Sequence, residues 1–135
     1  MILRATVARA LCAIALAGTA IAGCSNSTSP GSFLSLAGSY ALRAVNESPL
    51  PYPNGASIIV RGTLTIQSSA NYTFTEVDSA AGGTTRLTSS GTWSMQNNAM
   101  SLRDTNGALY LAAVSGSTDT IRVQISTHVS MYVRQ

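Results

Sequence analysis

The sequence predicts an all-β protein, a small antiparallel up-and-down β-barrel of about eight strands that follows an N-terminal signal peptide. From Leu36 onward, apolar and polar residues alternate with a period of two, which is typical of half-buried strands. Short segments rich in Gly, Asn and Ser separate these runs, as β-hairpin turns require. Beyond residue 24, no segment of helical length shows an apolar stripe with a period near 3.6.

Eight alternating runs give the predicted strands. In chain order they cover residues 38–45, 57–67, 71–78, 84–96, 99–104, 108–114, 119–125 and 128–134. The fourth run contains Ser89-Ser90-Gly91, which predicts a bend. Because the connecting segments are too short for parallel crossovers, neighbouring strands are expected to pair antiparallel, as a meander. Closing this meander into a barrel protects its edge strands from pairing with other chains.

The longest connection between predicted strands, residues 46–56, reads NESPLPYPNGA and holds three prolines. Proline has no backbone N–H to donate to a neighbouring strand, so this segment cannot form a central strand. We expect it to cross one end of the barrel.

The N-terminal segment has the three parts of a secretory signal peptide. Residues 1–9 carry Arg4 and Arg9 and no acid, and residues 10–23 are uncharged, apolar and end in small residues. This apolar run is too short for a membrane-spanning helix, which needs about 20 residues.

The segment Ile21-Ala22-Gly23-Cys24 resembles the bacterial lipobox. The resemblance implies attachment of diacylglycerol to the Cys24 sulfur, cleavage between Gly23 and Cys24, and acylation by a fatty acid such as palmitate. It therefore implies that the protein is held at a membrane of the cell envelope by Cys24. Ser25 stands where an Asp would signal inner-membrane retention, so the same resemblance favours the outer membrane, facing the periplasm or the cell surface.

The chain is accordingly expected to have three parts: a lipoprotein signal peptide, a lipidated cysteine with a flexible tether, and a β-barrel domain. The tether is rich in Ser, Thr, Pro and Gly, a composition typical of flexible linkers. The predicted boundaries are residues 1–23, 24–35 and 36–135.

Gly38-Ser39-Tyr40 at the start of the first strand, with segments such as LAGSYALRAVNESPLP, resembles small bacterial lipocalin-like lipoproteins. The resemblance implies a small barrel that binds a small apolar ligand. The residues expected to line such a site are the inward-facing Tyr40, Tyr72, Phe74, Trp93, Met95 and Met100. The alternative is a filled core, which predicts a non-catalytic module for protein interaction or envelope structure. In either case we expect a monomer.

The charge balance argues against nucleic acid as a partner. Removal of the signal peptide leaves six arginines, no lysine and five acids, so the mature chain is close to neutral and has no basic cluster. The charge balance does not imply a charged partner surface either. The run 108–114 is apolar on both faces, which predicts that a loop covers it or that it contacts a partner.

We expect no enzymatic activity, metal or cofactor. His128 is the single histidine, and we expect it to be a surface residue or a hydrogen-bonded strand residue rather than a general base. No Gly-x-Ser-x-Gly elbow is present, and Cys12 leaves with the signal peptide, so zinc and thiol sites lack ligands. Glu76 and Asp78 share one strand face and could hold Ca²⁺ or serve acid–base chemistry, but a charged strand end is the favoured interpretation. Asp104 is predicted to begin an Asx-type hairpin turn.

Overall fold

The computed structural model describes residues 35–97 and 99–135, and these residues form ten β-strands. The strands are β1 Gly38–Val45, β2 Ser48–Pro49, β3 Tyr52–Asn54, β4 Ser57–Ile66, β5 Asn71–Ala80, β6 Gly83–Gln96, β7 Ala99–Asp104, β8 Leu109–Val114, β9 Thr120–Ile125 and β10 His128–Arg134. The eight predicted strands are all present, with ends that differ from prediction by at most two residues. No helix in the described ranges is long and apolar enough to cross a membrane.

Strand β1 closes the barrel. It pairs antiparallel with β10 on one side and with β4 on the other, while β4 to β10 follow one another as antiparallel hairpins. The closed barrel therefore consists of β1 and β4 to β10, which confirms the predicted eight-stranded antiparallel architecture. Closure leaves no long unpaired edge, because the first strand covers the edge of the last.

The proline-rich connection adds the two strands that the sequence did not predict. β2 pairs with the end of β1, and β3 pairs with the start of β4. Both are short and lie at the edges of the sheet, so the prediction that this segment forms no central strand is confirmed. Leu50 and Tyr52 pack against the core from the end of the barrel where β1 finishes and β4 begins.

The barrel interior is filled by side chains. Inward residues from all eight barrel strands form one apolar cluster, in which Tyr40, Leu64, Ile121 and Tyr132 are fully buried. The apolar cavity at its centre measures about 10 Å³, which is about the space of one water molecule. Residues 35–135 thus contain a complete core and the pairings that close the barrel, so this segment is expected to fold by itself.

One end of the barrel is sealed by Arg134 and Tyr40. The guanidinium lies over the Tyr40 ring, 4.8 Å from the ring centroid, and donates a hydrogen bond of 2.6 Å to the Tyr40 hydroxyl. That hydroxyl donates to the Leu36 carbonyl at 2.8 Å, and Asp119 pairs with the guanidinium at 3.7 Å. Leu36 is buried beneath this arrangement. The opposite end has a different chemistry.

Candidate functional site

The end of the barrel opposite Arg134 is lined by polar side chains from β5 and β10. We call this group the polar mouth; its members are Glu76, Asp78, His128, Ser130 and Tyr132. The alternation of each strand places them there. Tyr72 and Phe74 point into the core, so the inward phase of β5 continues through Glu76 and Asp78.

β5 and β10 do not pair with each other, and their inward side chains meet across the barrel. The rings of Phe74 and Tyr132 make an edge-to-face contact, with centroids 6.3 Å apart and an interplanar angle of 85°. Glu76 is the next inward residue after Phe74, and Ser130 is the neighbour of Tyr132 on the inward face of β10. The two strands therefore direct their polar residues into the same space.

Each member of the polar mouth has a buried polar atom without a hydrogen-bond partner in the described residues. Glu76 is 4% exposed, and Ser130 and Tyr132 are fully buried. The unpartnered atoms are Glu76 Oε2, Asp78 Oδ1, His128 Nε2, Ser130 Oγ and Tyr132 Oη. Buried polar atoms in folded proteins almost always have a partner, so five unpartnered atoms in one region indicate that their partners lie beyond the described residues.

Burial strongly affects two ionisable groups of the mouth, Glu76 and Tyr132. It raises the pKa of Glu76 from 4.5 to about 7, and repulsion from Asp78 contributes to the same shift. Burial also raises the pKa of Tyr132, again with help from the Glu76 charge. The Ser130 oxygen lies close enough to oppose the rise in the Tyr132 pKa, although the two hydroxyls do not reach good hydrogen-bonding geometry.

His128 behaves in the opposite sense, because burial disfavours its charged form and lowers its pKa below 6.5. The Asp78 carboxylate counteracts this decrease but does not cancel it. At neutral pH the imidazole is therefore uncharged. The mouth then combines two carboxyl groups, a neutral imidazole and two hydroxyls.

The proline-rich connection is tied to the polar mouth by hydrogen bonds. Asn54 Nδ2 and Ser57 Oγ both donate to Asp78 Oδ2, at 3.2 and 3.1 Å. At the start of the connection, Asn46 Oδ1 accepts from the Val129 N–H at 2.8 Å. Leu87 of β6 shares the inward phase of Glu76, with which it pairs, yet it is 54% exposed. One side of the mouth is therefore covered by this connection, and on the other side the Leu87 side chain faces solvent.

This arrangement corrects two expectations from the sequence. Glu76 and Asp78 do not form a charged strand end, because Glu76 is buried and Asp78 is half-buried in the mouth. His128 is not a satisfied or surface residue, since its Nε2 atom is buried and unpartnered among the described residues. In that part of the chain, no group of three His, Cys, Asp or Glu side chains is arranged to hold a metal ion.

The six residues expected to line a ligand site all belong to the core or pack against it. Tyr40, Tyr72, Phe74, Trp93 and Met100 are buried, and Met95 is partly buried against the same cluster. Only Tyr72 and Phe74 of the six line the central cavity of about 10 Å³. Their expected role in binding an apolar ligand stays a prediction, and the interior that they line is filled by side chains.

A second polar group in the barrel wall provides a contrast. Ser89 Oγ lies 3.2 Å from the Tyr72 hydroxyl and donates to Asp104 Oδ2. The Asn106 N–H donates to Asp104 Oδ1 at 2.6 Å, which confirms the predicted Asx-type turn. The hydrogen bond from Ser89, followed by that from Asn106, lowers the pKa of Asp104. Because these groups satisfy one another's hydrogen bonds, we interpret them as structural.

The signal peptide, Gly23, Cys24 and all of the tether except Ser35 lie outside the described residues. The closed eight-stranded barrel is compatible with a lipocalin-like fold. No protein-family model, curated protein or solved structure matches the chain.

Proposed function

We propose that this chain is a lipid-anchored, non-catalytic protein of the bacterial cell envelope whose barrel binds a small polar ligand in the polar mouth. The observation that carries the ligand proposal is the set of five buried, unpartnered polar atoms at one end of an otherwise apolar interior. Barrel mouths are common ligand sites, and a few convergent polar groups against an apolar wall are typical of them. The lipobox resemblance at Cys24 supports the anchor.

The chemistry of the mouth favours a ligand that donates hydrogen bonds and carries positive charge. Glu76 and Asp78 supply carboxylate oxygens, and the Ser130 and Tyr132 hydroxyls can donate or accept. No basic side chain apart from His128 lies among the mouth residues, since Arg134 is at the other end and the remaining described arginines are exposed. A small primary ammonium group would complement these acceptors.

An acyl chain or another large apolar ligand fits this interior poorly. The central cavity of about 10 Å³ would have to expand by displacing core side chains such as Phe74 and Leu64, which line it. The filled core therefore favours a second candidate function, the non-catalytic module for protein interaction or envelope structure. In that case the surface of the barrel performs the function.

The ligand proposal can be tested through His128, because a chain with one histidine gives one imidazole reporter. Titration with propylammonium, followed by NMR of the imidazole protons, should shift the His128 signal in a saturable manner. Propanol, which has similar size and no charge, should shift it far less. Glu76→Gln should abolish the saturable shift, whereas Glu47→Gln, a change at an exposed carboxylate, should preserve it. An unresponsive His128 signal would mean that ordered water alone completes the mouth.

The anchor has its own test. Cys24→Ser should release the protein from membrane fractions, and mass spectrometry of the wild-type protein should find diacylglycerol on an N-terminal Cys24. Recovery of the wild-type protein as a soluble chain that retains residues 1–23 would contradict the anchoring part of the proposal and leave the ligand part standing.

A further inference from the structure

We propose that the outer face of β8 docks on the anionic headgroups of a phospholipid membrane. This face consists of Leu109 and Leu111 on β8, Arg103 on β7 and Arg122 on β9, and we call it the leucine–arginine face. The inference goes beyond ligand binding in the mouth. Its choice of partner rests on the proposed lipid anchor, which would hold the barrel beside a membrane.

The two leucines are the most unusual part of this face. Leu109 is 52% exposed and Leu111 is 63% exposed, although they belong to the run that is apolar on both faces. Their spacing of two residues puts them on the same outward phase, while Ala112 faces the core and is buried. None of the described segments covers them. Two adjacent exposed leucines on a small barrel indicate a contact surface.

Arginines flank the leucines on both neighbouring strands. Arg103 is directly opposite Leu109 in the β7–β8 pairing. Arg122 is directly opposite Ala113, the next outward residue after Leu111, in the β8–β9 pairing. Both arginines are exposed, and neither forms an ion pair or a side-chain hydrogen bond within the described ranges. An apolar strip bordered by arginines matches the headgroup region, where leucines reach the acyl chains and guanidinium groups bind phosphates.

The acids of this chain cannot neutralise the face. Glu76 and Asp104 are buried, Asp78 is half-buried in the mouth, and Asp119 pairs with Arg134. Residues 1–34 contain no acid at all. The remaining acid, Glu47, lines a surface groove together with Arg122 but does not form an ion pair with it. Residues 24–135 hold six arginines and five acids, but only two of these acids, Glu47 and Asp119, are exposed, whereas five of the six arginines are. The exposed charge of the barrel is therefore positive.

The same charges argue against a second copy of the chain as the partner. A symmetric contact through this face would bring two arginines from each copy together, with Glu47, which lies in the groove beside Arg122, as the nearest acid to balance them. An anionic membrane provides the opposite charge over the whole face. Each arginine held near such a surface strengthens binding by about fivefold.

Vesicle binding tests the proposal without the acyl anchor. Residues 24–135 with Cys24→Ser contain the whole barrel and should sediment with vesicles of phosphatidylcholine containing phosphatidylglycerol, but not with phosphatidylcholine alone. Binding should weaken as salt rises. The double variant Arg103→Gln/Arg122→Gln should lose about 30-fold in affinity. Arg61→Gln/Arg86→Gln makes the same charge change on β4 and β6 and should lose less than about threefold.

The leucines give a second comparison. Leu109→Ser/Leu111→Ser should weaken vesicle binding on the order of tenfold, since the apolar contact with the acyl boundary is lost. Leu87→Ser changes a leucine beside the mouth that is about as exposed as Leu109, and it should not weaken vesicle binding. Equal losses of vesicle affinity in the two double arginine variants would overturn the leucine–arginine face as the docking site and would leave only general charge attraction. Absence of vesicle binding, or binding to duplex DNA in its place, would overturn the membrane as partner, while anchoring through Cys24 would stand or fall separately.

Discussion

The Glu76 carboxyl is expected to make the stability of the barrel fall as pH rises towards neutrality, which is the reverse of the usual behaviour of an acid. Burial and the Asp78 charge raise its folded-state pKa from 4.5 to about 7. The folded barrel therefore holds the Glu76 proton more tightly than the unfolded chain does. Its stabilising effect is complete below about pH 4.5 and is lost as pH rises to about 7.

The magnitude follows from the size of the pKa shift. The rise of the Glu76 pKa from 4.5 to about 7 corresponds to about 3 kcal/mol of unfolding free energy. Because Leu87, the cross-strand neighbour of Glu76, faces solvent, nearby water reduces this value, and we expect about 2 kcal/mol. Glu76→Gln removes the ionisable group while keeping its shape. At pH 8 the variant should be more stable than the wild type by about 2 kcal/mol, or about 10 °C in melting temperature.

His128 acts in the opposite direction and has to be separated. Its folded-state pKa is lowered from 6.5, so it contributes stability above pH 6.5 that is lost as pH falls through its folded pKa. In the wild type this partly offsets the Glu76 effect. In Glu76→Gln only the histidine effect remains, and stability should rise with pH towards 6.5. The pKa of Asp104 is lowered from 3.8, so Asp104 affects the pH dependence of stability mainly below pH 3.8.

The assay is urea unfolding of residues 24–135 carrying Cys24→Ser, followed by circular dichroism from pH 4.5 to 8.5. Glu76→Gln, His128→Gln and the double variant are compared with the wild type, and Glu47→Gln serves as the exposed control. The double variant should show almost no pH dependence in this range. If Glu76→Gln destabilises the barrel at pH 8, then ionised Glu76 has a stabilising partner and the assignment of an unpartnered carboxyl is wrong.

Two further predictions concern the core and the close approach of strands. Trp93→Ala should lower the unfolding free energy by about 3–5 kcal/mol, because the indole is 3% exposed and also donates a hydrogen bond of 3.0 Å to the Gln67 carbonyl. Trp93→Phe should lower the unfolding free energy by less. A wild-type indole emission maximum typical of exposure to water would contradict the burial of Trp93. Gly91→Ala should lower the unfolding free energy by about 1–3 kcal/mol or more, since the new Cβ would lie 1.9 Å from the Arg103 carbonyl oxygen. The control is Gly116→Ala, whose Cβ would meet nothing within 4 Å. Chemical denaturation should show almost no change in unfolding free energy for this variant.

The strands were predictable because most of them are buried mainly on one face. In β5, for example, Tyr72 and Phe74 alternate with outward threonines, and this pattern marks both the element and its phase. Tight turns between the runs then left antiparallel hairpins as the available connection. The short β2 and β3 were not predictable in this way. They have too few residues for a periodic signal and depend on the neighbouring edges of β1 and β4 for their hydrogen bonds.

The polar mouth could not be predicted from any one segment. Glu76 and Asp78 continue the inward phase of β5, but an acid on that phase near a strand end normally indicates that the strand has left the core. Their burial depends on β10, more than fifty residues later, which brings Tyr132 across the barrel against Phe74. The outer surface has the same limitation. The six arginines and five acids of residues 24–135 nearly balance, and this balance conceals the exposed Arg103 and Arg122, because only the fold shows which charges are buried.

The contrast between the two buried polar groups argues that the mouth has a function. Asp104 accepts hydrogen bonds from the Ser89 hydroxyl and the Asn106 N–H, and these bonds compensate for its burial. Glu76 has no such compensation from the described residues, and each unsatisfied buried polar group costs about 1–3 kcal/mol. Apolar side chains of similar size at these positions would complete the core and stabilise the barrel. The proposed ligand is supported by a sequence that keeps several such groups at one end of the barrel and satisfies the polar groups elsewhere.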